Sequence, residues 1–257
     1  MKLSTEQLER YARNTALAEV GENGQIKLLE SRVLIIGVGG LGSPVAMYLA
    51  AAGVGTIGIA DADCVDLTNL QRQVIHRTGD IGTPKVESAK AAMQSINPEV
   101  EVRTYPVRLE ASNAAEIVRD YQFVIDATDN FASKFMIADV CHFENKPYSH
   151  AGILEFSGQT MTVIPGKSTC YRCVFGEPPS GNVKHPKGVI GILPGVIGSI
   201  QATEAIKYLL DIGELLTDRL LIYDALKMSF REVALQKNPA CRLCGDKSEI
   251  CRLKRDA

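Results

Sequence analysis

The chain has 257 residues, of which 46% are hydrophobic and 23% charged, and a formal net charge of −2. That length and composition suit a globular fold with a sizeable core, and the charge balance gives no sign of nucleic acid or anionic membrane as partner. Seven cysteines is an odd number, and four of them fall as two close pairs, which in a cytoplasmic chain favours metal over disulfide.

The first residues, Met1 to Gln7, hold no apolar run of the signal-peptide kind. No charge stands between Arg32 and Asp61, a stretch long enough to resemble a membrane span. Repeated glycines and Pro44 break it, however, and it divides into strand, helix and strand. A cytoplasmic chain without membrane or nucleic-acid partner is the expectation. The basic tail Arg252-Leu253-Lys254-Arg255 reads as a solvated end.

Residues 4–17 read as a helix. Ser4 and Gln7 have the spacing of a capping box, and Leu8, Tyr11, Ala12 and Ala16 recur at helical spacing. Residues 21–24 break the chain before a short helix over 25–30. Next comes Val33-Leu34-Ile35-Ile36, running into Gly37-x-Gly39-x-x-Gly42 and an alanine-rich helix, 45–52. A second β-branched strand, 56–60, ends at Asp61. In such a β-α-β unit the glycines let a phosphate approach the helix N-terminus, and an acid about twenty residues on holds a ribose hydroxyl.

Asp61-Ala62-Asp63 leads into Thr68-Asn69-Leu70-Gln71-Arg72-Gln73, a second polar cluster that a plain dinucleotide fold does not need. Thr83-Pro84 opens a helix, with Pro84 at its first position, that runs through Lys85 to Ile96. Lys85 lies in the first turn, where the macrodipole prefers acids, and this inconsistency points to an anion held nearby. A strand over 100–105, a helix over 113–119 and a buried strand from Phe123 follow. That strand ends in Thr128-Asp129-Asn130, at the carboxyl edge where a parallel sheet meets its ligand. Asp129 is also a candidate cap for the helix 131–144. Strands are expected at 147–151 and 159–164. After a Gly/Pro-rich loop, 176–188, a buried helix covers 195–210, and two late strands cover 220–224 and 229–235.

Cys170-x-x-Cys173 and Cys241-x-x-Cys244 have the spacing of two zinc half-knuckles. Four thiolates leave no open position, so the site is expected to be structural, tying the tail to the middle of the chain. Redox-active C-x-x-C is the competing reading. Cys64, Cys141 and Cys251 are left for packing or surface positions.

Taken together, the glycine turn, Asp61-x-Asp63, 69–73, Lys85, Thr128-Asp129-Asn130, both cysteine pairs and Gly195-x-x-Gly198-x-x-Gln201-Ala202-x-Glu204-x-x-Lys207 resemble the MoeB/ThiF/HesA family, closest to MoeB. The resemblance runs from Arg10 to Cys244. It implies one α/β domain over 1–257: a helical arm, 1–30; a Rossmann-like nucleotide-binding core with a mostly parallel sheet, 31–165; and a part with antiparallel strands and a structural zinc site, 166–257. It also implies ATP-dependent adenylylation of the C-terminal glycine of a ubiquitin-like sulfur carrier, MoaD-like or ThiS-like, in molybdopterin or thiamine biosynthesis. Gly40, Asp61, Thr68, Asn69, Leu70, Gln71, Arg72, Lys85, Asp129 and Asn130 would line the nucleotide site. Asp129 would hold magnesium, and Arg13 would reach the site of the partner in a homodimer. Several family members carry a cysteine in the loop where Lys184 stands here. Lys184, His185 and Lys187 would then attract the carrier or be solvated, and a separate sulfur donor protein would be required.

The chemistry agrees. A C-terminal carboxylate, with a pKa of about 3.5, is already ionised and needs no general base. It needs positioning and neutralisation of phosphate charge, which Arg72, Lys85 and a metal-holding Asp129 supply. A nicotinamide oxidoreductase shares the glycines and Asp61 but does not use the rest. A non-catalytic nucleotide or carrier binder is the second alternative.

Overall fold

The computed structural model describes residues 2–178 and 188–253. The N-terminal arm is not one helix. α1 (Thr5–Arg10) carries the Ser4–Gln7 capping box and α2 (Ala12–Thr15) follows after a break at Tyr11. The break has a cause in packing. Tyr11 is buried, its hydroxyl accepts from Asn97 Nδ2 at 2.8 Å, and its ring lies where a side chain at Gly53 would be. The expected loop at 21–24 is instead the first turn of α3 (Gly21–Glu30), where Gly24 packs closely against Val20 and Leu210.

The β-α-β unit is β1 (Arg32–Ile36), α4 (Gly42–Ala52) and β2 (Thr56–Ala60). Then come α5 (Lys85–Ile96), β3 (Glu101–Tyr105), α6 (Ala114–Arg119), β4 (Phe123–Asp126) and α7 (Phe131–Phe143). Pro84 caps α5 from outside rather than occupying its first turn. β5 (Tyr148–Leu154) and β6 (Ser157–Val163) form a hairpin, followed by the short α8 (Tyr171–Phe175), the long α9 (Ile192–Leu210), β7 (Arg219–Asp224) and β8 (Ser229–Ala234). α9 starts three residues before Gly195, taking in part of the apolar run 189–193. Lys184, His185 and Lys187 lie outside the described residues.

The eight strands among the described residues form one sheet in the order β3-β2-β1-β4-β5-β6-β7-β8. The first five are mutually parallel, and β6, β7 and β8 add antiparallel. This is the mostly parallel sheet with late antiparallel strands that the sequence led us to expect. β1 is buried on both faces: Val33 and Ile35 point into one core with α4, α5 and α9, while Leu34 and Ile36 point into a second with α6, α7 and the cysteine-rich end. Chain order reverses between β1 and β4, so the ligand crevice of such a sheet opens at their carboxyl ends.

α9 is pinned into that junction. Gln201 Nε2 donates to the carbonyls of Asp126 on β4 and Ser149 on β5, both at 3.0 Å. The fully buried Glu204 accepts from Thr162 Oγ1 and from Leu216 N and pairs with Lys207.

Candidate active site and cysteine cluster

A cavity of about 480 Å³ opens at the carboxyl ends of β2, β1, β4 and β5. Its floor is the glycine turn. Gly37 takes φ +92°, and a Cβ there would press on the backbone of Ala127; a Cβ on Gly42 would collide with the carbonyl of Gly37. Only glycine lets the turn close between β1 and β4 at these two positions.

Asp61 stands at the end of β2 and uses both oxygens on backbone amides: Oδ2 accepts from Val38 N at 2.8 Å and Oδ1 from Asp63 N at 2.9 Å. It thus fastens the glycine turn to the β2 edge, and each oxygen keeps acceptor capacity at the cavity that Asp61 lines. The anion beside Lys85 is Asp63. Lys85 Nζ lies 2.9 Å from Asp63 Oδ2, the lysine buried and the aspartate exposed. That pair accounts for a lysine in a first helical turn, and it holds a cation at the cavity wall. Arg72 also lines the cavity, its Nη1 donating to Thr68 O at 3.1 Å.

Asp129 lies exposed at the rim, and no residue is hydrogen-bonded or paired with its carboxylate among the described residues. The cap of α7 is Asn130, whose side chain accepts from Ser133 N at 2.9 Å. Asp129 is therefore not spent on capping. Gly40, Asp61, Arg72, Lys85, Asp129 and Asn130 thus meet in one cavity. Thr68, Asn69, Leu70 and Gln71 form the adjoining turn, where Asp66 caps a 3-10 turn over Leu67–Asn69, and they are not part of the lining. Arg13 is exposed on α2 and is not part of it either.

Sequence reading missed a buried cluster at the other end of the cavity. Asp126 closes β4, and its carboxylate meets Lys134 Nζ at 3.1 and 3.3 Å, His150 Nδ1 at 2.8 Å and both Thr128 N and Oγ1. Burial alone would raise its pKa; Lys134 and His150 reverse this and bring it down to about 2. Burial and the lysine lower His150 as well, below the ordinary histidine range, which favours its neutral form. No local signal in the sequence announced it: the register of β4 against β5 brings Asp126 level with His150, and Lys134 reaches it from one turn into α7.

The four paired cysteines converge. Sγ–Sγ separations are 3.6 Å for Cys170–Cys173 and Cys170–Cys241, 3.4 Å for Cys173–Cys244 and 3.2 Å for Cys170–Cys244. These are far beyond a disulfide bond of about 2.05 Å. They approach the ~3.8 Å edge of a tetrahedron with metal–sulfur bonds of about 2.3 Å. All four sulfurs lie within 4.8 Å of one another, a donor set that suits a metal ion. The chain on either side of Cys244 is also packed: Leu243 before it and Ile250 after it are buried in the second core. Cys141 is buried, and Cys64 and Cys251 are exposed.

None of the described helices is long and apolar enough to cross a membrane. The model of the ThiF family matches residues 11–243. The chain is 48% identical over 249 residues to the SAMP-activating enzyme E1 of Haloferax volcanii, covering 96% of this chain and 92% of that protein. It is 44% identical over 254 residues to the sulfur carrier protein adenylyltransferase of Thermus thermophilus, covering 96% and 94%. Among solved structures, E. coli MccB with ATP superposes with a TM-score of 0.82 at 26% identity, over 92% of this chain and 75% of that one. With the glycine turn, the cavity and the cysteine cluster in place, the chain belongs to the ThiF family.

Proposed function

We propose that the protein uses ATP to adenylylate the C-terminal glycine carboxylate of a ubiquitin-like sulfur-carrier protein, releasing pyrophosphate. One observation carries this reading: the glycine turn, Asp61, the cations Arg72 and Lys85 and the unpartnered Asp129 line a single cavity at the switch point of the sheet. The named activity of the Thermus thermophilus relative agrees with it.

The turn at Gly37 to Gly42 offers backbone amides to phosphate, and Asp61 takes the ribose hydroxyls. Arg72 and Lys85 offset charge at the phosphates, and Thr68, Asn69, Leu70 and Gln71 support Arg72 from the adjoining turn. Asp129, without a protein partner among the described residues and next to Asn130, has the chemistry to hold magnesium, which prefers carboxylate and phosphate oxygens. The ionised tail carboxylate attacks the α-phosphorus, the bond to the leaving pyrophosphate breaks, and no proton is transferred. Catalysis here is positioning and charge neutralisation.

The four cysteines would hold zinc as a structural ion, since four thiolates around one ion leave no open position for chemistry. Arg13, exposed on the arm, acts on the cavity of a second copy in a homodimer. Mixed dimers of Arg13→Ala and Lys85→Ala chains then recover part of the lost activity; no recovery in verified heterodimers excludes it. A separate protein delivers sulfur to the adenylate.

The test is ATP–pyrophosphate exchange with carriers ending in Gly-Gly. Exchange is expected only when a carrier is present. Its absence with every carrier, in protein that binds ATP, would point to an inert binder.

A further inference from the structure

His150 is 1% exposed, yet it lines the cavity. Its ring is wedged between Tyr171, at 4.6 Å between centroids, and Phe175, at 5.6 Å. Nδ1 faces Asp126 at 2.8 Å, while Nε2 has no hydrogen-bond partner among the described residues. A buried polar atom without a partner is costly, and it marks a place where an occupant completes the bonding.

The protonation of this nitrogen is fixed by its surroundings. Lys134 spends its protons on Asp126 Oδ1 and Oδ2 and on the carbonyl of Ala151, at 3.3, 3.1 and 2.6 Å. Thr128 donates twice to the same carboxylate. Asp126 is therefore an ionised acceptor, so His150 Nδ1 carries the proton. The neutral ring then presents a bare lone pair at Nε2. The missing partner must be a donor. A carboxylate or a phosphate cannot fill that place, but a peptide N–H can.

Position in the sheet separates peptide from nucleotide. Ala60, Ile36, Asp126 and His150 stand level on β2, β1, β4 and β5. With strands about 4.8 Å apart, His150 lies roughly 14 Å from the β2 edge where Asp61 would hold a ribose. The glycine turn lies between them. His150 thus borders the half of the cavity walled by Gly152, Ser157 and Gly158 of the β5–β6 hairpin, opposite the nucleoside end.

We propose that His150 is a specificity-determining residue whose Nε2 accepts the N–H of the last peptide bond of the carrier's tail. This rests on the adenylylation reading above. The acceptor lets the site distinguish an extended peptide end from a free small carboxylic acid, which has no such N–H to offer. Asp126 and Lys134 act through His150 as positioning residues, holding its tautomer.

The test uses a carrier prepared by ligation with its last Gly-Gly bond either as the amide or as the ester, which replaces that single N–H by oxygen. Exchange kinetics are measured for the natural protein, His150→Ala and His150→Gln. For the natural protein the ester should raise the carrier KM about tenfold and leave the KM for ATP unchanged. His150→Ala should respond alike to amide and ester, and His150→Gln, whose Oε1 can accept, should restore part of the discrimination. Equal use of amide and ester by the natural protein overturns the proposal, and that comparison needs no variant to fold. The natural amide-to-ester ratio persisting in His150→Ala, or a KM change falling on ATP, overturns it as well. Exchange with neither carrier removes the adenylylation reading and this proposal together.

Discussion

His76 Nε2 lies 3.0 Å from the carbonyl oxygen of Val38, the residue in the middle of the glycine turn. The amide of the same Val38 donates to Asp61. Both polar groups of one peptide position are therefore held by side chains far along the chain. Since a carbonyl only accepts, the proton of His76 sits on Nε2. Ser88 Oγ stands 2.8 Å from Nδ1 and 2.7 Å from Asp80 Oδ2, tying the clamp to α5.

His76→Phe keeps ring volume and removes that clamp. The buried carbonyl of Val38 then loses its partner, which costs about 1–3 kcal/mol. Stability measured by denaturant should fall by that amount, and the KM for ATP should rise more than the KM for the carrier, because the displaced turn belongs to the nucleotide end. An unchanged KM for ATP would show that the turn holds its shape without His76.

Asp129 and Lys85 separate by their environments. Asp129 is exposed and unpartnered among the described residues, so Asp129→Ala should leave the melting temperature unchanged and remove most of the exchange activity. Lys85 is buried against Asp63, so Lys85→Met should cost some stability as well as activity. Loss of one charge-stabilising group is worth on the order of 100-fold in turnover. Full exchange by Asp129→Ala would end its assignment to magnesium.

Much of this site was legible in the sequence for a physical reason. The glycines, Asp61, Lys85 and Asp129 follow strand and helix signals within a short stretch, and a β-α-β unit has few ways to fold. The cysteine pairs were legible because two-residue spacing aims thiolates at one point. What stayed hidden depends on pairings across the sheet. Nothing local says that His150 meets Asp126, or that Tyr11 reaches Asn97 and so breaks the arm helix in two. The first turn of α3, residues 21–24, was misread as a break because two glycines weaken helix propensity, while packing of Gly24 against Leu210 restores it.

The cysteine cluster predicts one zinc per chain in protein purified without added metal. Cys241→Ser should lose it and loosen the C-terminal segment, where Leu243 and Ile250 are buried. Limited proteolysis should then cut after the segment's basic residues, while β1 to β4 stay protected. A metal ratio near zero in reduced, folded protein rules the site out.

The buried titratable groups set the acid behaviour. His76, His142 and His150 are each held below the ordinary histidine range, first of all by burial. The unfolded chain, titrating near 6.5, binds these protons more readily than the folded one. Their stabilising effect is thus complete above about pH 6.5 and is lost as pH falls through that value towards their lower folded values. Asp126 behaves separately. Its folded pKa is about 2 against an ordinary 3.8, so its contribution is complete above roughly pH 4 and disappears as pH falls towards 2. Denaturant unfolding from pH 8 down to pH 3 should give a plateau, then a decline beginning just below neutrality. In His150→Gln that decline should be shallower, because one of its three titrating groups is gone. A decline of the same depth in the variant would assign it to other groups, and constant stability from pH 8 to 5 would show that the three histidines titrate alike in the folded and unfolded chain.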